Sequence, residues 1–147
     1  MSTVKLVGFW YNEEDCNKDF PMPVPRDPHA LSEIERKEHS IFVHQLKSIE
    51  GILMTDHLKN DHGGQFVAAY RGRSQCRLCN NSAGSYEFVM GDGDGNQYHW
   101  PEGYMHYLTV HFVQPDPEFK QFIESLHGTL IGCCYLLQDY EPDEGFR

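Results

Sequence analysis

Cys76-Arg77-Leu78-Cys79 and, after a gap of 26 residues, His106-Tyr107-Leu108-Thr109-Val110-His111 are the two runs that decide how this chain folds. A C-x2-C turn aims two sulfurs at one point. An H-x4-H pair lies within the spacing of three to five residues that is common in zinc-binding modules. Zinc is borderline-soft and takes four thiolate and imidazole donors in a tetrahedron. Cys76, Cys79, His106 and His111 are therefore the expected ligands of one structural Zn(2+) per chain. The insert between the two pairs is longer than in an ordinary finger and has room for a hairpin, so the expected order is knuckle, hairpin, helix.

One geometric condition comes with this assignment. Positions five apart on an ideal helix lie about 140° apart around its axis. The helix carrying His106 must therefore loosen or end near His111, and β-branched Thr109 and Val110, with Pro115 beyond, suit that. His99 is the substitute ligand if one of the two histidines is not used. A redox dithiol would need its C-x-x-C at a helix start in a βαβ context. Cys76 instead follows an expected strand, and Asn80-Asn81-Ser82 do not read as helix.

Outward from the ligands, residues 65–70 read as a strand leading into Cys76. Residues 86–90 alternate, with Tyr86, Phe88 and Met90 on one face. Gly91-Asp92-Gly93-Asp94-Gly95-Asn96 is turn chemistry, and 97–100 is the returning strand. Pro101 and Glu102 suit the start of the helix that reaches His111. Asp116-Pro117-Glu118 caps the next helix, whose core face is Phe119, Phe122, Ile123 and Leu126 and whose end falls at Gly128. Residues 129–137 then read as a buried strand.

Toward the N-terminus, 4–11 is β-branched and aromatic and reads as a strand. Pro21, Pro23, Pro25 and Pro28 exclude helix and central strand, which leaves an extended connector. Ser32 with Glu35 is a capping-box pattern. Its helix should run to about Ser48 with an imperfect stripe of Ile34, Ile41, Phe42, Leu46 and Ile49, and end at Gly51. Residues 52–54 then form a short strand and 56–64 a loop. Strands and helices mix without βαβ alternation, so the fold class is α+β, in one zinc-binding domain over 1–147. Its parts are an N-terminal strand, Pro-rich connector and helix (1–64), a zinc knuckle, hairpin and helix (65–128), and a C-terminal strand and tail (129–147).

With 22 acidic against 12 basic residues the net charge is −10. Nucleic-acid affinity comes largely from Lys and Arg neutralising phosphates, and anionic membranes also attract basic segments. Both partners are disfavoured, since Arg71, Arg73 and Arg77 form the one local basic cluster. No stretch reaches the roughly 20 apolar residues that span a bilayer. Met1-Ser2-Thr3-Val4-Lys5-Leu6 lacks the apolar core of a signal peptide. The expected location is cytoplasmic, where a close cysteine pair reads as metal chemistry and not as a disulfide framework.

The run Tyr70-Arg71-Gly72-Arg73-Ser74-Gln75-Cys76-Arg77-Leu78-Cys79, then Asn81-Ser82-Ala83-Gly84-Ser85, then Trp100-Pro101-Glu102-Gly103-Tyr104-Met105-His106-Tyr107 with His111, resembles an uncharacterised family of small bacterial and phage proteins. Val7-Gly8-Phe9-Trp10 and Pro25-Arg26-Asp27-Pro28 add to the resemblance, which covers about two thirds of the chain. The resemblance implies the same ligand set and no activity. The 56–64 loop and the Gly-Asp-Gly-Asp-Gly turn depart from the family pattern.

Other constellations read more plainly. Asp92, Asp94 and Asn96 suggest calcium, but an EF-hand loop counted from Asp92 would place Gln97 and Gly103 where Gly and Glu are needed. Asp56, His57, Asp61 and His62 offer a water-exposed second metal or acid-base site, weighed against a solvated loop. Cys133 and Cys134 read as small apolar core residues. Trp100, Tyr104 and Tyr107 pack around the metal or, on the sharper reading, form an aromatic patch for a partner. No complete catalytic constellation is present. The leading function is accordingly a zinc-stabilised adaptor or inhibitor that binds another protein. A small metal-dependent hydrolase and a nucleic-acid-binding finger are the alternatives.

Overall fold

A computed structural model describes residues 3–10, 21–59 and 66–136, and the side chains of 56–59, 69–74 and 130–136 fall outside that description. The elements in chain order are β1 (Thr3–Leu6), α1 (Glu33–Lys59), β2 (Val67–Gln75), β3 (Ser82–Gly91), β4 (Asn96–Pro101), α2 (Tyr104–Val110) and α3 (Pro117–Leu136). They form an α+β fold, with three helices and one four-stranded mixed sheet in the order β1-β4-β3-β2. β1 lies parallel to β4, whereas β2–β3 and β3–β4 are antiparallel hairpin pairs.

The pleat of β3 and β4 decides which face is covered. Phe88, Tyr98 and Trp100 point to one side and are buried, and Phe88 stacks on Trp100 at 5.5 Å. α3 packs on that side through Phe119 and Ile123, and Phe119 lies 5.1 Å from Trp100 and 5.9 Å from Tyr104. α1 closes the core with Phe42, Leu46, Ile49 and Leu53, one helical stripe. Tyr86 and Met90 pack against the same cluster, as the alternation of β3 requires.

Both helix starts follow the local chemistry. Ser32 Oγ accepts from the Glu35 N–H at 3.1 Å, and Glu35 Oε1 accepts from the Ser32 N–H at 3.0 Å, a complete capping box. Asp116 Oδ1 accepts from the Phe119 N–H at 2.9 Å, with Pro117 opening α3. The connector holds no helix or strand over residues 21–27, and Pro28–Ala30 forms a short 3-10 turn.

Four expectations about where elements begin and end are corrected. α1 does not stop at Gly51. It runs to Lys59, so neither a 52–54 strand nor a loop beginning at 56 exists. α3 passes through Gly128 to Leu136, which replaces the expected C-terminal strand. A mid-helix glycine costs about 1 kcal/mol relative to alanine. Burying Leu53, just past Gly51, offsets that, since a fully buried Leu contributes about 1.5–3 kcal/mol. Pro101 closes β4 instead of opening α2, because its carbonyl-side neighbour Glu102 is drawn back to β3. The strand expected over 4–11 is limited to Thr3–Leu6, with a last rung from the Val7 N–H to the His99 carbonyl. Ile34 and Ile41 also leave the expected stripe and are 71% and 48% exposed. His39 takes their place on the buried side.

Candidate metal centre

The C-x2-C segment is the tip of the β2–β3 hairpin. Gln75 pairs with Ser82, and the turn between them is closed from the Cys76 N–H to the Asn81 carbonyl at 2.8 Å and from the Asn80 N–H to the Cys76 carbonyl at 2.9 Å. Asn80 takes the left-handed backbone, φ 62°, which Asn tolerates better than most residues. The Leu78 N–H points at Cys76 Sγ and Asn81 Nδ2 at Cys79 Sγ, each at 3.3 Å.

The histidines arrive on α2, and the joint before α2 aims them. Glu102 donates its N–H to the Tyr86 carbonyl at 2.7 Å, and its carboxylate accepts from the Ser85 N–H at 2.9 Å. This grip brings β3 and the start of α2 into contact. At Gly84, φ 122°, a side chain would collide with the Glu102 carboxylate, and at Gly103 a Cβ would lie 2.8 Å from Ala83. Gly103 is therefore required by close approach to Ala83, and Gly84 by its left-handed backbone. They account physically for two of the residues in the 81–85 and 100–107 runs.

α2 ends at Val110, and His111 is its C-cap at φ −108°, ψ −2°. The expected loosening is found where the spacing demands it. Phe112 then takes φ 53° and turns the chain sharply, while the His111 and Val113 N–H groups both reach back to the Tyr107 carbonyl at 3.2 and 3.1 Å.

These elements bring the four predicted residues together. Cys76 Sγ lies 3.3 Å from His111 Nε2, and Cys79 Sγ lies 3.3 Å from His106 Nε2. All four ligand atoms fall within 4.8 Å of one another. With zinc–sulfur bonds near 2.3 Å and zinc–nitrogen bonds near 2.0–2.1 Å, a tetrahedral sulfur–nitrogen edge measures about 3.6 Å. These two of the six donor–donor separations lie a few tenths inside that, and the four residues could hold one metal ion. Both cysteines are free thiols; Cys76 is buried, and the other three ligands are half-buried.

The surroundings keep the donors ready. Burial, and then the nearby His111, hold the His106 pKa below that of a free imidazole, which favours the neutral, ligating form. The Tyr107 hydroxyl accepts from the Arg77 N–H at 2.7 Å. Burial first, with Cys76 adding to it against the opposing Arg77 contact, pushes this phenol up to about 12, so it stays protonated beside the sulfur. Trp10 packs edge-on against Tyr107 at 5.5 Å and closes that flank.

His99 is not among the clustered residues. Its Nδ1 meets Glu87 Oε1 at 3.0 Å and its Nε2 meets Gln97 Oε1 at 3.3 Å, on the sheet face away from Trp100. The Asp92 turn is closed on itself, as Oδ1 accepts from the Asp94 and Asn96 N–H groups at 2.8 and 3.1 Å and Oδ2 accepts from Asn96 Nδ2 at 2.7 Å. These bonds are those of a self-closed turn, and Asp92 and Asp94 are not part of a metal-competent cluster among the described residues. Trp100, Tyr104 and Tyr107 are all buried, which removes the aromatic-patch reading. Asp61 and His62 lie outside the described residues, as do the side chains of Asp56, His57, Arg71, Arg73, Cys133 and Cys134. Cys133 and Cys134 sit on a helix and not on a strand. The Arg77 guanidinium donates to the Gln75 carbonyl within the knuckle.

The connector takes part in the site from a distance along the chain. Arg26 and His39 hold the chain end of α2, through contacts with Leu108, His111 and Phe112. Their separation of 69 to 86 residues from those partners left no local signal beyond the Pro25-Arg26-Asp27-Pro28 run itself. Among the described residues no helix is long and apolar enough to cross a membrane. No protein-family model, curated protein sequence or solved structure matches the chain.

Proposed function

We propose that this chain is a small cytoplasmic protein that holds one structural zinc ion through Cys76, Cys79, His106 and His111 and acts as an adaptor or inhibitor on another protein. One observation carries the reading: four protein donors, two sulfurs and two imidazole nitrogens, lie within 4.8 Å of one another. Four protein donors complete a tetrahedron, whereas a catalytic zinc keeps one position for water or substrate. Two thiolates also cancel the charge of the ion, which makes it a weak electrophile. The role of the metal is then to hold the knuckle against α2.

The partner-binding part of the reading is supported by charge and by exposed apolar side chains. Ile34 and Ile41 lie seven residues apart on α1 and so on the same side of it, with exposed Glu38 between them. Together with the net charge of −10 this suits a partner with a basic, partly apolar surface.

Metal analysis and cobalt substitution test the closed site. One zinc per chain is expected, and a cobalt-loaded protein should show a tetrahedral spectrum that is unchanged by added azide or imidazole. Cys79→Ser and His111→Ala should each lose metal affinity and thermal stability together. A cobalt spectrum that moves with added ligand would place water in the coordination shell and favour the hydrolase. Purified protein free of metal, prepared without chelators, would overturn the zinc assignment.

A further inference from the structure

The C-terminal end of α2 carries a problem that the four ligands do not solve by themselves. His106 and His111 converge only because the helix stops at Val110 and Phe112 turns left-handed, φ 53°. For a non-glycine residue that conformation is unfavourable and persists where the surroundings hold it. The last carbonyls of a helix also lack partners within the helix. Something outside α2 must hold this turn.

Arg26, far away in sequence, meets it at two atoms. Its main-chain N–H donates to the His111 carbonyl at 2.9 Å. Its Nε donates to the Phe112 carbonyl at 2.6 Å. A second guanidinium nitrogen, Nη2, lies 3.2 Å from His39 Nδ1. An arginine has only donors, so His39 Nδ1 must be the acceptor and the ring proton must sit on Nε2. That is the nitrogen that faces the Leu108 carbonyl, at 2.8 Å. The planar fork thus fixes the tautomer with which His39 ties down a third carbonyl of the same helix end. His39 is buried and stacks on Phe112 at 5.3 Å, which braces the turn from the side.

We propose that Arg26 is a positioning residue for the metal centre: its guanidinium holds the Leu108–Phe112 turn in the one shape that presents His111 Nε2 to the ion. The inference rests on the zinc reading above and deepens it. Partners that orient a metal ligand from behind commonly matter 10- to 100-fold in metal affinity. Here the orientation acts through the main chain on either side of the ligand.

The test is zinc affinity by competition with a chromophoric chelator, together with apo-protein melts. Arg26→Ala keeps the main-chain bond to His111 and removes only the fork. It should bind zinc about 10- to 100-fold more weakly than wild type. Arg26→Lys, a point charge on a flexible stem, cannot serve Phe112 and His39 as a planar fork does. It should fall between wild type and Arg26→Ala, with a loss of more than twofold. Ser32→Ala serves as the stability control, since it weakens the α1 cap without touching the turn. It should lower the melting temperature and leave zinc affinity within about twofold. Zinc affinity within twofold of wild type in the Arg26 variants would overturn the proposal, as would an equal loss in Ser32→Ala. If Arg26→Ala does not fold, Arg26→Lys alone decides. A wild-type protein that binds no zinc would instead overturn the metal reading, and this inference with it.

Discussion

The two buried clusters among the described residues are built on different principles. The larger one joins α1, the inner sheet face and α3 with Phe42, Leu46, Ile49, Phe88, Trp100 and Phe119 at its centre. The smaller one, around the knuckle, consists of Cys76, Tyr107 and Val113 with a few partly buried neighbours. The first has enough apolar surface to hold itself together. The second does not, and its polar sulfurs and imidazoles converge where a core would otherwise supply Leu or Ile. A site of this kind needs either its ion or another source of cohesion. Structural zinc contributes an apparent 10–16 kcal/mol in small metal-binding peptides near neutral pH, comparable to the whole stability of a small domain.

Metal removal should separate the two regions most sharply. A chelator is expected to strip hydrogen-exchange protection from the knuckle and α2, while α1 and the first turns of α3 keep most of theirs. Equal loss everywhere would show that the two clusters unfold as one cooperative unit.

Phe119→Ala probes the other side of the comparison. Phe119 is fully buried and contacts the rings of Phe42, Tyr98, Trp100 and Tyr104. Its truncation should cost about 3–5 kcal/mol in denaturant unfolding yet leave the zinc stoichiometry of the folded protein at one.

The larger region holds a pH-dependent contact. Trp100 Nε1 donates to Glu50 Oε2 at 2.9 Å, and burial, with Glu102 adding to it against the Trp100 bond and Lys47, pushes the Glu50 carboxyl up to about 8. A carboxyl with a raised folded pKa keeps its proton longer in the folded state than in the unfolded one. Its contribution is fully present below about pH 4.5 and is lost as pH rises toward about 8. His39 works in the opposite sense. Burial lowers its folded pKa, so its share is present above about pH 6.5 and is lost on acidification. Glu50→Gln keeps an acceptor for Trp100 without the charge. Its melting temperature should exceed that of wild type by more at pH 9 than at pH 5. A constant difference across that range would mean the carboxyl is not the titrating group.

The smallest expected effect concerns α1 alone. A Cβ at Gly51 would meet nothing within 4 Å, and the residue sits in the helix interior. Gly51→Ala should raise stability by about 0.5–1 kcal/mol without altering zinc affinity. Destabilisation would show that the helix needs the glycine for a contact outside the described residues.

The metal site is largely legible in the amino-acid sequence, because its signal is local. Two cysteines three apart and two histidines five apart have few chemical uses, and the 140° mismatch between His106 and His111 calls for a helix that loosens or ends near His111, which is where α2 stops, at Val110. Caps are legible for the same reason: Ser32 with Glu35, and Asp116 with Pro117, satisfy their own neighbours. Gly51 and Gly128 mislead as helix ends, since a glycine penalty of about 1 kcal/mol is small beside what a packed stripe returns. Ile34 and Ile41 mislead as core for the converse reason, as periodicity cannot tell which of two neighbouring stripes meets a partner element.

The candidate metal donors, the helix caps and the alternating face of β3 can be read from the chain because each is set by chemistry within a few residues. The rest came from packing between distant segments. It set the length of α1 and α3, returned Glu102 to Ser85, and rejected His99 in favour of His111. It also brought Arg26 from the connector to the turn behind His111. Those outcomes depend on contacts between segments distant along the chain, where the free energy of burial and of satisfying stranded carbonyls outweighs any preference a residue has on its own.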